Sequence, residues 1–222
     1  MKSRKPGSAF GAPLFRVGNW PGKAVLSKGS TGQNYAKCSI RDDKPPLKAP
    51  KLGVLRVSRL PGRVHVGRLL AGPCVMRCAL GRSGLTHAKR EGDGATPIGI
   101  LRIEATMTRR DRLYLSGGPT PLVPIRSHAG WCDDPAAGAY NRPVQLPSAF
   151  RHEELWRSDH VYDVIMVLDW NRQCIVKGRG SAIFFHLARP DFSPTEGCVA
   201  IALTDMRRLL PRLSKTCRLV VT

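Results

Sequence analysis

Glycine and proline return throughout this chain, 22 and 18 of them in 222 residues. From Leu52 onward they cut it into apolar runs of strand length, which bars long helices and asks for short strands joined by tight turns. Gly53 to Ser58 alternates as a half-buried strand does, and Leu60-Pro61-Gly62 turns it. Arg63 to Gly67 predicts a second strand and Cys74 to Leu80 a third. Gly92 to Gly99 reads as a loop, and Ile100 to Ile103 resumes a strand. Residues 116 to 148, rich in Gly, Pro, Asp and Asn, read as long loops of the kind that often carry function. A helical turn or two is expected at Glu153 to Trp156. Tyr162 to Leu168 is the strongest strand, and its near-continuous apolar run predicts burial on both faces. Gln173 to Lys177 and Ser181 to His186 follow as strands. Thr204 is placed to cap a helix whose Met206, Leu209, Leu210 and Leu213 share one face. Arg218 to Val221 closes the chain as a strand. The sum is a mainly β domain over residues 51–222 with one or two short helices.

Residues 1–50 have another character. Gly, Pro, Ser and Lys dominate, no period persists, and Lys44 to Pro50 reads as an extended linker. This stretch is expected to be a basic, disordered extension. It holds ten Lys or Arg and two Asp, so it carries +8 of the chain's formal net charge of +20. Such a field attracts polyanions without choosing among nucleic acid, anionic lipid and acidic wall polymer. No aromatic interleaving or binding module points to specific nucleic-acid recognition. No apolar run reaches the ~18 residues of a membrane span, and no secretory signal is visible near the start. The seven cysteines show no CxxC pair and no zinc set, so no metal is expected, and most read as small buried apolar residues.

Thr195-Glu196-Gly197-Cys198 is the stretch that carries chemistry. A thiol is a useful nucleophile only as a thiolate, so it needs a base or a positive setting. His186 ends an apolar strand twelve residues earlier, and the loop between can fold back to bring the two together. Gly197 permits a tight turn, and backbone N–H groups of Gly197 or Cys198 can meet a developing oxyanion.

The run from His186-Leu-Ala-Arg-Pro to Thr195-Glu-Gly-Cys-Val resembles the signature of the L,D-transpeptidase catalytic domain family (YkuD type), in a Thr-Glu-Gly-Cys branch. Gly94-Ala-Thr-Pro-Ile-Gly99 resembles that family's Thr-Pro-x-Gly segment, and Gly180 to His186 its strand into the histidine. Gly130 to Asp134 (Gly-Trp-Cys-Asp-Asp) and Tyr140 to Pro143 (Tyr-Asn-Arg-Pro) match one bacterial branch. The resemblance covers about residues 52 to 222. It implies a β-sandwich of mixed sheets, Cys198 as nucleophile and His186 as base. It also implies peptidoglycan stem tetrapeptides as substrate, a thioester intermediate, no cofactor, and work in the cell envelope or periplasm.

Two positions depart from the pattern. Glu196 stands where the family has a histidine near the oxyanion site, and a carboxylate donates no hydrogen bond there. Ala200 replaces a polar residue. Arg189 could bind a stem carboxylate or be a solvated loop charge. Thr195 belongs with the substrate-binding candidates, and Arg179, His128, Trp131 and Tyr140 are further ones, Trp131 reading first as packing. Asp133 and Asp134 are expected to pair with arginines or cap a turn, and Asp163 and Asp169 to be structural. Three outcomes stay open: transfer to an amine, hydrolysis of the same substrate, and a non-catalytic basic wall-binding protein. The sequence leaves the oligomeric state open.

Overall fold

Alternation of buried and exposed residues organises the chain from Leu52 to Val221. The computed structural model describes residues 50–222. The extension expected over residues 1–50 lies, but for Pro50, outside the described residues. The strands in order are β1 (Leu52–Arg59), β2 (Val66–Ala71), β3 (Cys74–Ala79), β4 (Leu85–Thr86), β5 (Thr96–Pro97), β6 (Gly99–Thr108) and β7 (Leu122–Pro124). They continue as β8 (Ala129–Cys132), β9 (Arg142–Gln145), β10 (His152–Glu154), β11 (Val164–Leu168), β12 (Phe184–Leu187) and β13 (Val199–Ile201). Helix α1 (Leu203–Leu209) runs into a 3-10 turn (Leu210–Arg212), and β14 (Leu213–Val221) ends the fold.

The main sheet runs β11-β12-β13-β3-β2-β1-β14-β6-β7, and β11 pairs with β6 as well. The expected mainly β fold of mixed sheets is present, and its large sheet closes into a ring. Three pairings in it are parallel, β1 with β14, β12 with β13 and β6 with β7. A small sheet, β10-β8-β9, stands apart from it.

Two apolar cores follow from the period of two. On β11, Val164, Met166 and Leu168 join the larger core with Leu55, Leu69, Phe185 and Ile201. Ile165 and Val167 face the other way, into a second core with Trp131, Leu155, Tyr162 and Phe184. All five β11 residues are buried, as the apolar run predicted. On β6, Leu101 and Ile103 join the first core while Ala105 and Met107 join the second. Strict alternation would keep all four on one face. A register shift against β11 between the Leu168–Ile103 and Val167–Ala105 pairs leaves Glu104 as an extra residue and swaps the faces.

Several expected elements differ. Glu153 to Trp156 is no helix: His152–Glu154 pairs antiparallel with Cys132, Trp131 and Gly130. A run this short has no helical period of its own, and a free β8 edge decides it. Gln173 to Lys177 is a turn, not a strand. Asn171 holds it, donating from Nδ2 to Val176 O and Gly180 O and accepting the Val176 N–H at Oδ1. Residues 116–148 hold three short strands, β7, β8 and β9, among their loops. The second strand starts at Val66, later than expected, and β6 and β14 are longer than their expected segments. Thr204 lies inside α1; Ala202 takes the N-cap position and makes no side-chain cap bond.

Candidate active site

Strands β12 and β13 place the site. They run parallel, with Phe185 opposite Val199, His186 opposite Ala200 and Leu187 opposite Ile201. Phe185, Leu187, Val199 and Ile201 fill the larger core. By alternation, Phe184, His186, Cys198 and Ala200 face the other side. There Cys198 joins the second core beside Phe184, and Tyr162 meets the His186 ring edge-on with centroids 5.1 Å apart.

The backbone before Cys198 is tightly held. Thr195 Oγ1 accepts the Gly197 N–H at 3.2 Å and donates to Cys198 O at 2.7 Å. Thr96 Oγ1 donates to the same carbonyl at 3.2 Å while accepting the Gly81 N–H at 2.8 Å. The Thr-Pro segment seen in the sequence thus fixes the carbonyl of Cys198. Gly197 has φ +130°, and a Cβ there would lie 2.8 Å from Ala95 O. No other residue fits this turn without displacing backbone.

The thiol donates to Ala182 O and accepts the Phe184 N–H, each at 3.3 Å. Ala182 has φ +51°, rare for a residue with a side chain. Asn141 accepts the Ala182 N–H at 3.2 Å and the Trp131 Nε1–H at 3.1 Å, both at Oδ1. The Gly-Trp-Cys-Asp-Asp and Tyr-Asn-Arg-Pro segments therefore meet behind the residue that holds the thiol.

His186 Nδ1 lies 2.9 Å from Leu187 O. A carbonyl only accepts, so Nδ1 carries the proton and the lone pair is on Nε2. Burial pushes the imidazole down to about 4, with Arg189 and Arg157 adding to the push and the backbone of Leu187 and Val161 opposing it. Burial pushes the Cys198 thiol up to about 12; the Phe184 N–H and the Lys89 ammonium oppose this and the Glu153 carboxylate adds to it. At neutral pH the pair is therefore thiol and neutral imidazole, not a preformed thiolate–imidazolium pair. Burial also raises Glu153 above the usual carboxylate range.

Cys198 and His186 line one cavity of about 360 Å³. Tyr162, Glu153 and Glu91 form part of its wall, and Arg157, Arg189 and Glu196 belong to its lining too. Thr195 also reaches the lining. Arg189 is half-exposed and reaches Asp159 at 3.4 Å, whereas Arg157 grips the same carboxylate through two hydrogen bonds. Glu196 is exposed and pairs with Arg82. Ala200 is buried directly across the ladder from His186.

The other expected candidates lie elsewhere. Trp131 is core, edge-on to Phe184 and under the Arg172 guanidinium. Tyr140 donates to Glu91 Oε2 at 2.5 Å, one step behind the cavity wall, and Ser181 donates to the same oxygen at 2.7 Å. His128 lines a separate depression with His152 and Trp156. Arg179 is exposed, and its backbone donates to Val176 O and accepts the Trp170 Nε1–H. Asp133 pairs with Arg151, Asp134 caps the turn at Ala136, Asp163 binds Arg112, and Asp169 accepts the Arg102 N–H. Six cysteines among the described residues are free thiols, of which Cys78, Cys132 and Cys217 are buried as expected and Cys174 is exposed.

Sequence reasoning missed Lys89, Asn141 and the carbonyl of Ala182. Asn141 stood inside a recognised motif with no role assigned, and a backbone carbonyl leaves no letter in the sequence. Among the described residues no group of three or more His, Cys, Asp or Glu could hold a metal ion, and no helix is long and apolar enough to cross a membrane.

The family model of the L,D-transpeptidase catalytic domain, YkuD, matches residues 67–221, a span that takes in the whole cavity lining. No curated protein and no solved structure matches the chain.

Proposed function

The chain belongs to the L,D-transpeptidase catalytic domain family, and from that premise we propose that it transfers the acyl group of peptidoglycan stem tetrapeptides through a thioester on Cys198. One observation carries this reading: His186 on β12 and Cys198, the residue just before the parallel neighbour β13, open into the same cavity.

The protonation states set the first step. Substrate entry draws the thiol from Ala182 O toward the cavity. The sulfur attacks the carbonyl on the L-centre side of the third stem residue while its proton passes to Nε2 of His186. Charge gathers on the carbonyl oxygen. Because Thr195 Oγ1 already takes the Gly197 N–H, the Cys198 N–H is the backbone donor we assign to that oxygen. The C–N bond then breaks, the His186 proton goes to the departing terminal D-alanine amine, and the thioester remains. An amine of a neighbouring stem resolves it and forms a cross-link, or water resolves it and leaves a tripeptide. Either way His186 takes the incoming proton and the thiol is restored.

The cavity's cations suit this substrate. Arg189, held only loosely by Asp159, is free to swing onto a stem carboxylate. The substrate places this work outside the inner membrane, in the cell envelope.

Incubation with disaccharide-tetrapeptide should add the acyl mass to the peptide bearing Cys198, and Cys198→Ala should abolish the adduct. A folded wild-type protein that forms no adduct would overturn the reading. Cross-linked dimers among the products mark an amine acceptor, and tripeptides alone mark water.

A further inference from the structure

Lys89 is the buried charge that the steps above leave unused. Its side chain is only 2% exposed. Lysine is almost never buried to this degree without a partner, and a buried ammonium costs several kcal/mol of desolvation before pairing repays it. An apolar side chain of similar length would fill the same space without that cost. The stem of Lys89 threads between two glycines of positive φ. A Cβ on Gly180 would lie 2.9 Å from its Cγ, and one on Gly197 would lie 3.1 Å from its Nζ. The absent side chains of Gly180 and Gly197 are the passage, and it delivers the ammonium to the residue just before the nucleophile. Asp93 anchors it there, itself held by the N–H groups of Arg90 at 2.8 Å and Ala95 at 2.9 Å.

We propose that Lys89 is a positioning residue of the acyl-transfer site, whose ammonium behind Gly197 supplies the positive field for negative charge forming on Cys198 and on the carbonyl it attacks. The inference rests on Cys198 being the nucleophile. It also accounts for Glu196. That side chain is an acid paired with Arg82, so positive potential at the turn comes from beneath it. Around the thiol, β10 contributes Glu153, the segment before β11 contributes Tyr162, and β12 contributes His186. Arg157 and Arg189 reach the cavity lining. Burial and the Glu153 carboxylate favour the neutral thiol, and the Phe184 N–H and the Lys89 ammonium oppose them.

The test reads the thiol without peptidoglycan. In the full chain carrying Cys174→Ser, the rate of iodoacetamide alkylation of Cys198 at neutral pH is followed by peptide mass mapping with Lys89 in place and in Lys89→Met, Lys89→Gln and Lys89→Arg. Removing the charge should slow alkylation about tenfold, while Lys89→Arg keeps a rate near that of lysine. Gln still donates to Asp93, so it separates charge from bridging if Lys89→Met fails to fold. A Lys89→Gln protein whose Cys198 is alkylated as fast as with lysine would make Lys89 a structural bridge and overturn the proposal. Failure of the thioester experiment would leave this result standing, and an unchanged alkylation rate would leave the thioester reading standing.

Discussion

Burial decides the charge of His186, and that has a cost in acid. Its folded value is about 4 against an ordinary 6.5, so the native state prefers the neutral ring. As pH falls through 6.5 the unfolded chain takes the proton first, and stability declines until pH reaches about 4. At 1.36 kcal/mol per unit the loss approaches about 3 kcal/mol. Urea titrations across that window should show a slope in unfolding free energy that flattens in His186→Gln. Adduct formation should follow the same ring: it should hold steady through pH 6.5 and fall only near 4, since the base is neutral above its folded value. An acid limb centred on 6.5 would contradict a buried neutral imidazole. That Cys198 and His186 meet at one cavity was legible because a thiol and an imidazole are residue types with a recognisable frame. Their support was not. Lys89 stands in Lys89-Arg90-Glu91, which reads as a solvated charge run, and only the fold shows it threaded between Gly180 and Gly197. Thr96 was visible as part of Thr-Pro, yet its hold on Cys198 O spans 102 positions of sequence.

Among the elements, the turn into β13 tolerates least. Gly197→Ala would set a methyl 2.8 Å from Ala95 O at φ +130°, which costs on the order of 1–3 kcal/mol from strain alone. It should lower stability by that order and lower adduct formation further, read by urea titration and by mass. The outer face of the main sheet offers the opposite case. Arg218 stands directly opposite Arg102, and Arg68 opposite Arg77. Like charges across a ladder destabilise it, whereas threonine suits a strand. Arg218→Thr should therefore stabilise the protein by about 0.5 kcal/mol at low salt, with the gain shrinking as salt screens the pair. A loss that ignores salt would refute it. Strands with their own alternation, such as Leu52–Arg59, or an unbroken apolar run, such as Val164–Leu168, were readable from sequence. His152–Glu154 and Arg142–Gln145 were not, because both are strands only by virtue of pairing with β8.

Across the whole molecule, closure of the sheet makes the chain's last strand a central one. β14 pairs parallel with β1 on one side and antiparallel with β6 on the other. Its apolar end was legible as a strand, but its neighbours lie more than a hundred residues away in sequence, and no local pattern encodes them. Chain termini usually bear trimming well because little is tied to them. Here Arg218, Leu219, Val220 and Val221 pair with both neighbours, and Leu219 and Val221 are buried in the larger core. Removing Arg218 to Thr222 opens the ring between β1 and β6 and strips two aliphatic side chains from that core. Their burial alone is worth about 3–6 kcal/mol, a large share of the roughly 5–15 kcal/mol that holds a typical domain together. The truncated chain should lose its near-ultraviolet circular dichroism and its cooperative urea transition. It should also fail to form the Cys198 adduct, although the cut lies twenty residues beyond Cys198. A truncated protein that still unfolds cooperatively would show that β1 and β6 hold the ring without β14.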